Sequence, residues 1–306
     1  MTALANPIGV EHGLKYVITG PDGTRAVLND STDVDYVGIL NPRDGGGVTG
    51  LERAGVRETS DLLPEADGGV HGVFRRDRLA FTLGGIIPPD APVTADGWVG
   101  RQARLLRATD ALAADAILTW TPSGAPPVQV AFREQQPTRI TGARPKAFLV
   151  AGVSEEAVIY SQALNVASLS PSGIVGGGFA SPLTSPLGSS ATAVGALAAT
   201  NAGASETWPT IKITGPCTNP NVINGSAGGR GLFLTYTLAA GEYLLIDTNP
   251  RRRTVKLNGE ANRYGAIDWT RSAWWPLEPG VNTLNLGFTS YSAPAALEVS
   301  WRDAWG

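Results

Sequence analysis

Three groups of side chains in this sequence are of types that do chemistry. The first is aromatic: six of the eight tryptophans follow residue 206, namely Trp208, Trp269, Trp274, Trp275, Trp301 and Trp305. The electron-rich face of such a ring accepts the C–H groups of a pyranose, whereas the plainer use of a tryptophan is to bury a large apolar area in a core or an interface. Trp274 and Trp275 are the candidates for sugar or partner contact. Adjacent strand residues point to opposite faces, so one of the pair is expected inside and the other outside. The second group, Arg251, Arg252 and Arg253, is the only dense basic run. It is a candidate for phosphate or partner contact, although its place after Asn249 and Pro250 predicts a β-turn and its solvated edge. The third group is Glu58, Asp61, Glu65 and Asp67, set in a Gly-rich segment over 57–72. Paired carboxylates can hydrolyse glycosides, but here they are expected to keep an extended arm soluble or to line an electronegative channel.

The remaining chemical inventory is short. His12 and His71 are too few and too far apart to suggest a metal site, and no H-x-x-x-H, C-x-x-C or D-x-D-x-D-G pattern occurs. Neither a G-x-S-x-G elbow nor a P-loop is present. The sequence therefore reads as a non-enzyme with no catalytic residue, no metal and no cofactor. Cys217 is the sole cysteine, so no intrachain disulfide can form, and between Pro216 and Thr218 it reads as a small structural residue. A net charge of −3 argues against a general polyanion-binding surface. No apolar run approaches a membrane span of about 18 residues. No basic and apolar leader opens the chain, and assembly in a cytoplasm is the expectation.

These residues need a scaffold, and composition points to strands. The chain has 306 residues, enough for two domains, and its 38 Gly and 22 Pro fit an all-β chain rich in turns. Residues 14–28 alternate around a Pro-Asp-Gly turn and predict a hairpin. Further strands are predicted at 75–88, 117–121, 128–133, 138–142 and 147–153. One helix is expected over 99–114, with Val99, Ala103, Leu106, Leu112 and Ala113 on its apolar stripe and Arg101, Arg104, Arg107 and Asp110 mostly opposite. This makes an α+β unit over 1–164. Residues 165–205 are rich in Ser, Ala, Gly and Pro and are expected as an ordered connection, with the Ala-rich part at 190–204 lacking regular structure. A second domain over 206–306 shows strands at 208–214, 231–238, 242–247, 253–257, 281–288 and 295–301, the pattern of an antiparallel β-sandwich. The fold class is thus mainly β with one helix. Trp301 and Trp305 are expected at the sandwich edge or sealing the chain end.

Several motifs add a resemblance. I-D-T (246–248) followed by basic residues, W-x-L-x-P-G-x-N (275–282) and the closing W-R-D-A-W (301–305) resemble the C-terminal half of distal tail proteins of long-tailed siphophages, especially those of actinobacterial hosts. The D-G-G-V-x-G segment (67–72), the strand and helix that follow, a meander ending near Y-S (160–161) and the G-G-G with paired S-P-L units (176–187) resemble the family's N-terminal half and bridge. The resemblance implies an N-terminal ring-forming domain and a galectin-like or carbohydrate-binding-module-like C-terminal domain. It also implies a homohexameric ring at the distal tail tip of the virion, joining the tail tube to the tail-tip hub and receptor-binding apparatus. Implied partners are other copies of the chain, the tail tube protein and the hub, with the tape measure protein a further candidate. DNA would meet the protein only in transit through the lumen, and no membrane is involved. The rival expectation is a carbohydrate-binding adhesion module that recognises host cell-wall sugar.

Overall fold

The computed structural model describes residues 13–41, 47–62, 69–89, 97–111, 114–142, 145–171 and 193–306. The chain divides into two units: residues 1–163 with the last two residues, and residues 164–304. The described residues are mainly β with one α-helix, as the sequence predicts.

In the first unit β1 (Tyr16–Thr19), β2 (Arg25–Leu28), β3 (Tyr36–Leu40) and β4 (Gly47–Thr49) lead to β5 (Val56–Leu62), β6 (Gly69–Arg76) and β7 (Leu79–Ile87). Helix α1 (Trp98–Thr109) follows, then β8 (Ala116–Trp120), β9 (Val128–Thr141), β10 (Lys146–Ser154) and β11 (Ile159–Ser161). The hydrogen-bonded order β10-β7-β3-β2-β1-β8-β9 is closed by a further pairing of β9 with β10. Strand β9 makes this possible by its length of 14 residues. Val128 to Phe132 pair with β8, and Arg133 to Thr141 pair with β10. The sequence predicts two strands there. They are one, because Pro137, which has no N–H to give a ladder, falls where the β9–β10 register slips. Tyr16, Ile18, Leu28, Leu83, Leu118 and Phe132 fill the interior of this closed sheet.

The helix departs from its expected face and length. Its buried stripe is Arg101, Leu105 and Ala108, whereas Val99 is 72% exposed and Leu106 45% exposed. Arg101 goes inward because its guanidinium Nη2 donates to the carbonyls of Pro88 and Pro89, at 2.6 and 3.1 Å, just past the end of β7. Those donors satisfy carbonyls that no strand reaches, and the side chain's stem fills core volume. The helix stops at Thr109, whose hydroxyl turns back to the Leu105 carbonyl; Ala113 and Leu112 lie outside the described residues.

The segment expected as an arm or loop over 57–72 carries a pair of strands. β5 and β6 form a two-stranded sheet joined to no other strand among the described residues.

The second unit comprises β12 (Asn165–Leu169), β13 (Ala193–Asn201), β14 (Thr210–Thr214), β15 (Cys217–Thr218), β16 (Asn221–Asn224), β17 (Arg230–Phe233) and β18 (Thr237–Leu238). It continues through β19 (Tyr243–Asp247), β20 (Thr254–Leu257), β21 (Ala261–Asn262), β22 (Gly280–Gly287), β23 (Ser290–Tyr291) and β24 (Ala296–Trp301). Two principal sheets, β12-β24-β14-β19-β20-β21 and β13-β22-β16-β17, share one core. Ile211, Ile213, Leu244, Ile246 and Val299 enter it from the first, and Ala199, Val222, Leu284 and Leu286 from the second. That is a sandwich. The Ala-rich stretch expected to lack structure is strand β13, paired with β22 along most of its length. Small side chains have weak strand preference on their own, and the partner strand supplies the ladder. A last short strand, β25 (Ala304–Trp305), follows β11 in the order of the first unit's sheet, and Trp305 is buried in that unit's core.

Close packing inside the first unit makes one glycine a sharp test. A Cβ on Gly152 of β10 would lie 2.4 Å from Phe81 and 2.7 Å from Phe132, which already meet edge to face at 5.1 Å between ring centres. Gly152→Val is expected to cost about 1–3 kcal/mol through overpacking, read as a lowered urea midpoint. Gly55→Ala, whose Cβ would meet only the Asp77 Cβ at 4.0 Å, should not lower the midpoint.

Candidate functional site

The three C-terminal motifs resolve into closures of the sandwich. In W-x-L-x-P-G-x-N, Trp275 and Leu277 are fully buried and Gly280 takes a left-handed φ of 95°. Asn282 knots the turn: its amide donates to the carbonyls of Glu278 and Gly280, and its carbonyl accepts from the Glu278 N–H at 3.0 Å. In I-D-T, Ile246 is core and the buried Thr248 hydroxyl donates to the Pro209 carbonyl at 2.6 Å. In W-R-D-A-W, Trp301 donates its indole N–H to the Thr200 carbonyl and Asp303 accepts from the Ala202 N–H at 2.9 Å. These residue types are dictated by buried backbone groups that need partners.

The candidate tryptophans separate as expected, one in and one out. Trp275 is 0% exposed and belongs to the core, so it is closed to any ligand. Trp274 is half-buried and meets two rings the sequence reading did not single out, Tyr264 at 6.3 Å and Trp269 at 6.2 Å between ring centres. Tyr264 and Trp269 lie 5.5 Å apart, completing a triad, and Trp269 is half exposed. Trp274 also receives the guanidinium of Arg253, whose carbon is 5.1 Å from the Trp274 ring centre and 5.8 Å from that of Trp208. A guanidinium held against two indoles is attracted by both ring quadrupoles, about 0.5–2 kcal/mol per contact depending on desolvation.

Strand register explains the meeting. Thr210 opposes Asp247 and Asp247 opposes Thr254, while Lys256 opposes Asn262. The residues just before β14, between β19 and β20, and just after β21 therefore share one end of the sheet. Trp208, Arg253 and Tyr264 come from those three places. The 263–273 segment is sewn to β17: Asp268 N–H donates to the Phe233 carbonyl, Ala273 N–H to the Gly231 carbonyl, and the Ser272 hydroxyl accepts from Phe233 N–H, all at 2.9 Å. The Asp268 carboxylate then accepts from both the hydroxyl and the N–H of Thr270, at 2.6 and 3.0 Å, and fixes the turn that carries Trp269.

Of the arginine run, Arg251 and Arg252 are exposed in a turn, as predicted, with the Arg252 N–H on the Asn249 carbonyl and its Nε 3.6 Å from the Asp247 carboxylate. Arg253 differs: it leaves the solvated edge for the aromatic stack. The acidic candidates are less completely placed. Glu58 and Asp61 fall on β5, opposite Phe74 and Val70 in the ladder; Glu65 and Asp67 lie outside the described residues. Cys217 is buried, and burial pushes its thiol up to about 11, which makes it a poor nucleophile.

Residues 202–305 match a family described as siphovirus-type tail component, C-terminal domain. The chain also has the fold of the Dit protein of phage SPP1, whose structure is described as a paradigm of the hub adsorption apparatus of phages infecting Gram-positive bacteria. The two share 14% identity, with a TM-score of 0.61 over 94% of this chain and 98% of that one. A chain of the phage P2 baseplate in its activated conformation with Ca aligns at 16% identity and a TM-score of 0.49, covering 94% and 97%. No curated protein sequence matches the chain. The resemblance to siphophage distal tail proteins thus agrees with the tail-component match over residues 202–305 and with the fold shared with SPP1 Dit.

The turn under Trp269 has a pH signature. Hydrogen bonding from the Thr270 hydroxyl, more than any other contact, holds the Asp268 carboxyl below its ordinary value of 3.8. A depressed carboxylate stabilises the fold fully above the ordinary value and loses that contribution as pH falls through the lower folded value. An NMR titration is expected to place the Asp268 midpoint below 3.8, and Thr270→Val should move it back up towards that value.

Proposed function

We propose that the chain is the ring-forming protein at the distal end of a long non-contractile phage tail, joining the tail tube to the tail-tip hub and receptor-binding apparatus. The observation that carries this reading is the tail-component match over residues 202–305. The Dit fold of the whole chain agrees with a hub position. Assembly is then the mechanism. Closure of the β10-to-β9 sheet uses up most strand edges of the first unit, but among the described residues the β5–β6 pair has no further strand on either outer edge. Head-to-tail addition of such a pair to the next subunit repeats identical heterologous contacts, and these close into a ring when the rotation between subunits divides a full turn. Six subunits follow from the family resemblance. The partners on this reading are identical subunits, the tail tube protein and the hub, with the tape measure protein a further candidate, and the ring is assembled in the host cytoplasm.

Light scattering on a size-exclusion column tests the ring. The expected mass is near six times the 31.8 kDa chain, and replacing residues 57–75 by a short Gly-Ser turn should reduce it to one chain. A protein that stays monomeric even when mixed with purified tail tube and hub proteins would overturn the reading.

Glu58, Asp61, Glu65 and Asp67 are proposed to make the lumen repel DNA in transit. Exchanging all four for lysine is expected to lower infectivity per particle. Unchanged assembly together with unchanged infectivity would remove this role.

A further inference from the structure

We propose that the end of the sandwich built by Trp208, Arg253, Trp274, Tyr264, Trp269 and Arg271 is a binding site for an anionic glycan, a polysaccharide with a negatively charged group on its repeat. The inference is independent of ring formation. Four observations carry it.

The aromatic surface is presented rigidly. Trp269 sits on a turn fixed by the Asp268 carboxylate, in a segment bonded to β17, so little conformational freedom is lost when a ligand arrives. The surface has the right apolar character as well. Among the described residues of 206–280, Trp269 is the only large hydrophobic side chain that is exposed. Its exposed neighbours are Thr270 and Arg271, both polar. A protein-binding patch of useful strength has an apolar centre ringed by polar groups and buries several hundred Å² per partner. One open ring among charges instead suits a small polar ligand with a C–H face, which is what a sugar offers.

Charge is the third observation. The chain is acidic overall, at −3, yet residues 247–275 hold Arg251, Arg252, Arg253, Lys256, Arg263 and Arg271 against Asp247, Glu260 and Asp268. This stretch, with its excess of three positive charges, also carries Tyr264, Trp269 and Trp274. Lastly, the arginines are oriented by aromatic contacts. The Arg271 guanidinium lies 4.2 Å from the Phe233 ring centre and that of Arg263 lies 5.7 Å from the Tyr236 ring centre. Arg253 lies against the indoles of Trp208 and Trp274, and its buried Nε has no hydrogen-bond partner. Arg263 gives its Nε to the Tyr236 hydroxyl and its Nη1 to the Asn262 carbonyl, so Arg271, stacked by its face and exposed, is the arginine whose edge N–H donors can meet a carboxylate or phosphate.

The test uses the full chain and three probes, polygalacturonate, uncharged dextran and polyglutamate, in calorimetric titrations followed in parallel by tryptophan fluorescence. Polygalacturonate is expected to quench fluorescence and to bind more weakly as salt rises, at least about tenfold tighter than either control. Trp269→Ala should weaken binding about tenfold, with Trp269→Phe recovering most of it, as loss of a stacking face requires. Arg271→Gln should weaken polygalacturonate and leave dextran unchanged. Both sites are surface positions, and an unchanged unfolding midpoint shows that the variants fold. Absence of polygalacturonate binding, equal binding of dextran or polyglutamate, or an unaffected Trp269→Ala variant would each overturn the proposal. The oligomeric mass, measured separately, reports on the ring reading alone.

Discussion

The dominant constraint on this chain is that nearly every backbone N–H and C=O of a mostly β protein must find a partner. Open sheet edges leave rows of such groups unsatisfied and invite uncontrolled association. In the first unit the constraint is met by closure: β9 is long enough to pair with β8 along its first part and β10 along its second. The buried Arg101 serves the same end at the carbonyls of Pro88 and Pro89. In the second unit side chains do the work, with Asn282, Thr248 and Asp303 each bonded to backbone groups at a turn or strand end. The β5–β6 pair, which has no third strand among the described residues, is the exception that an assembling protein can use.

The same bookkeeping accounts for the motifs. A sequence signature is often taken for a functional site, yet W-x-L-x-P-G-x-N is two core side chains, a left-handed glycine and an asparagine that ties the turn. These positions specify how the sandwich closes. Contact chemistry lies elsewhere, in residues such as Trp269 that no closure requires and that remain half exposed. Net charge misleads in a similar way: −3 over the chain coexists with an excess of three positive charges within residues 247–275, because composition averages over stretches of unlike charge.

Much of the architecture is legible in the sequence. Alternation and turn residues locate the 14–28 hairpin and the strands at 242–247 and 253–257 to within a residue or two. Strand β13 escapes such reading because Ala and Gly carry no strand pattern of their own, and the β22 ladder decides its state. The helix face escapes it too. Arg101 counts as polar in any periodicity argument, and its inward direction depends on two carbonyls more than ten residues earlier in the chain.

The sequence by itself determined the mainly β class, the single helix, the adjacent tryptophans that divide between core and rim, and the likeness to phage tail proteins. Each rests on local alternation or on contiguous motifs, and both survive without knowledge of the fold. Tertiary structure alone decided the closure of the first sheet, the inward turn of Arg101 and the stack of Trp208, Arg253 and Trp274. The physical reason is distance along the chain. Trp208 and Arg253 meet only because antiparallel register returns the chain to the same end of one sheet, and register is set by the whole pattern of buried side chains.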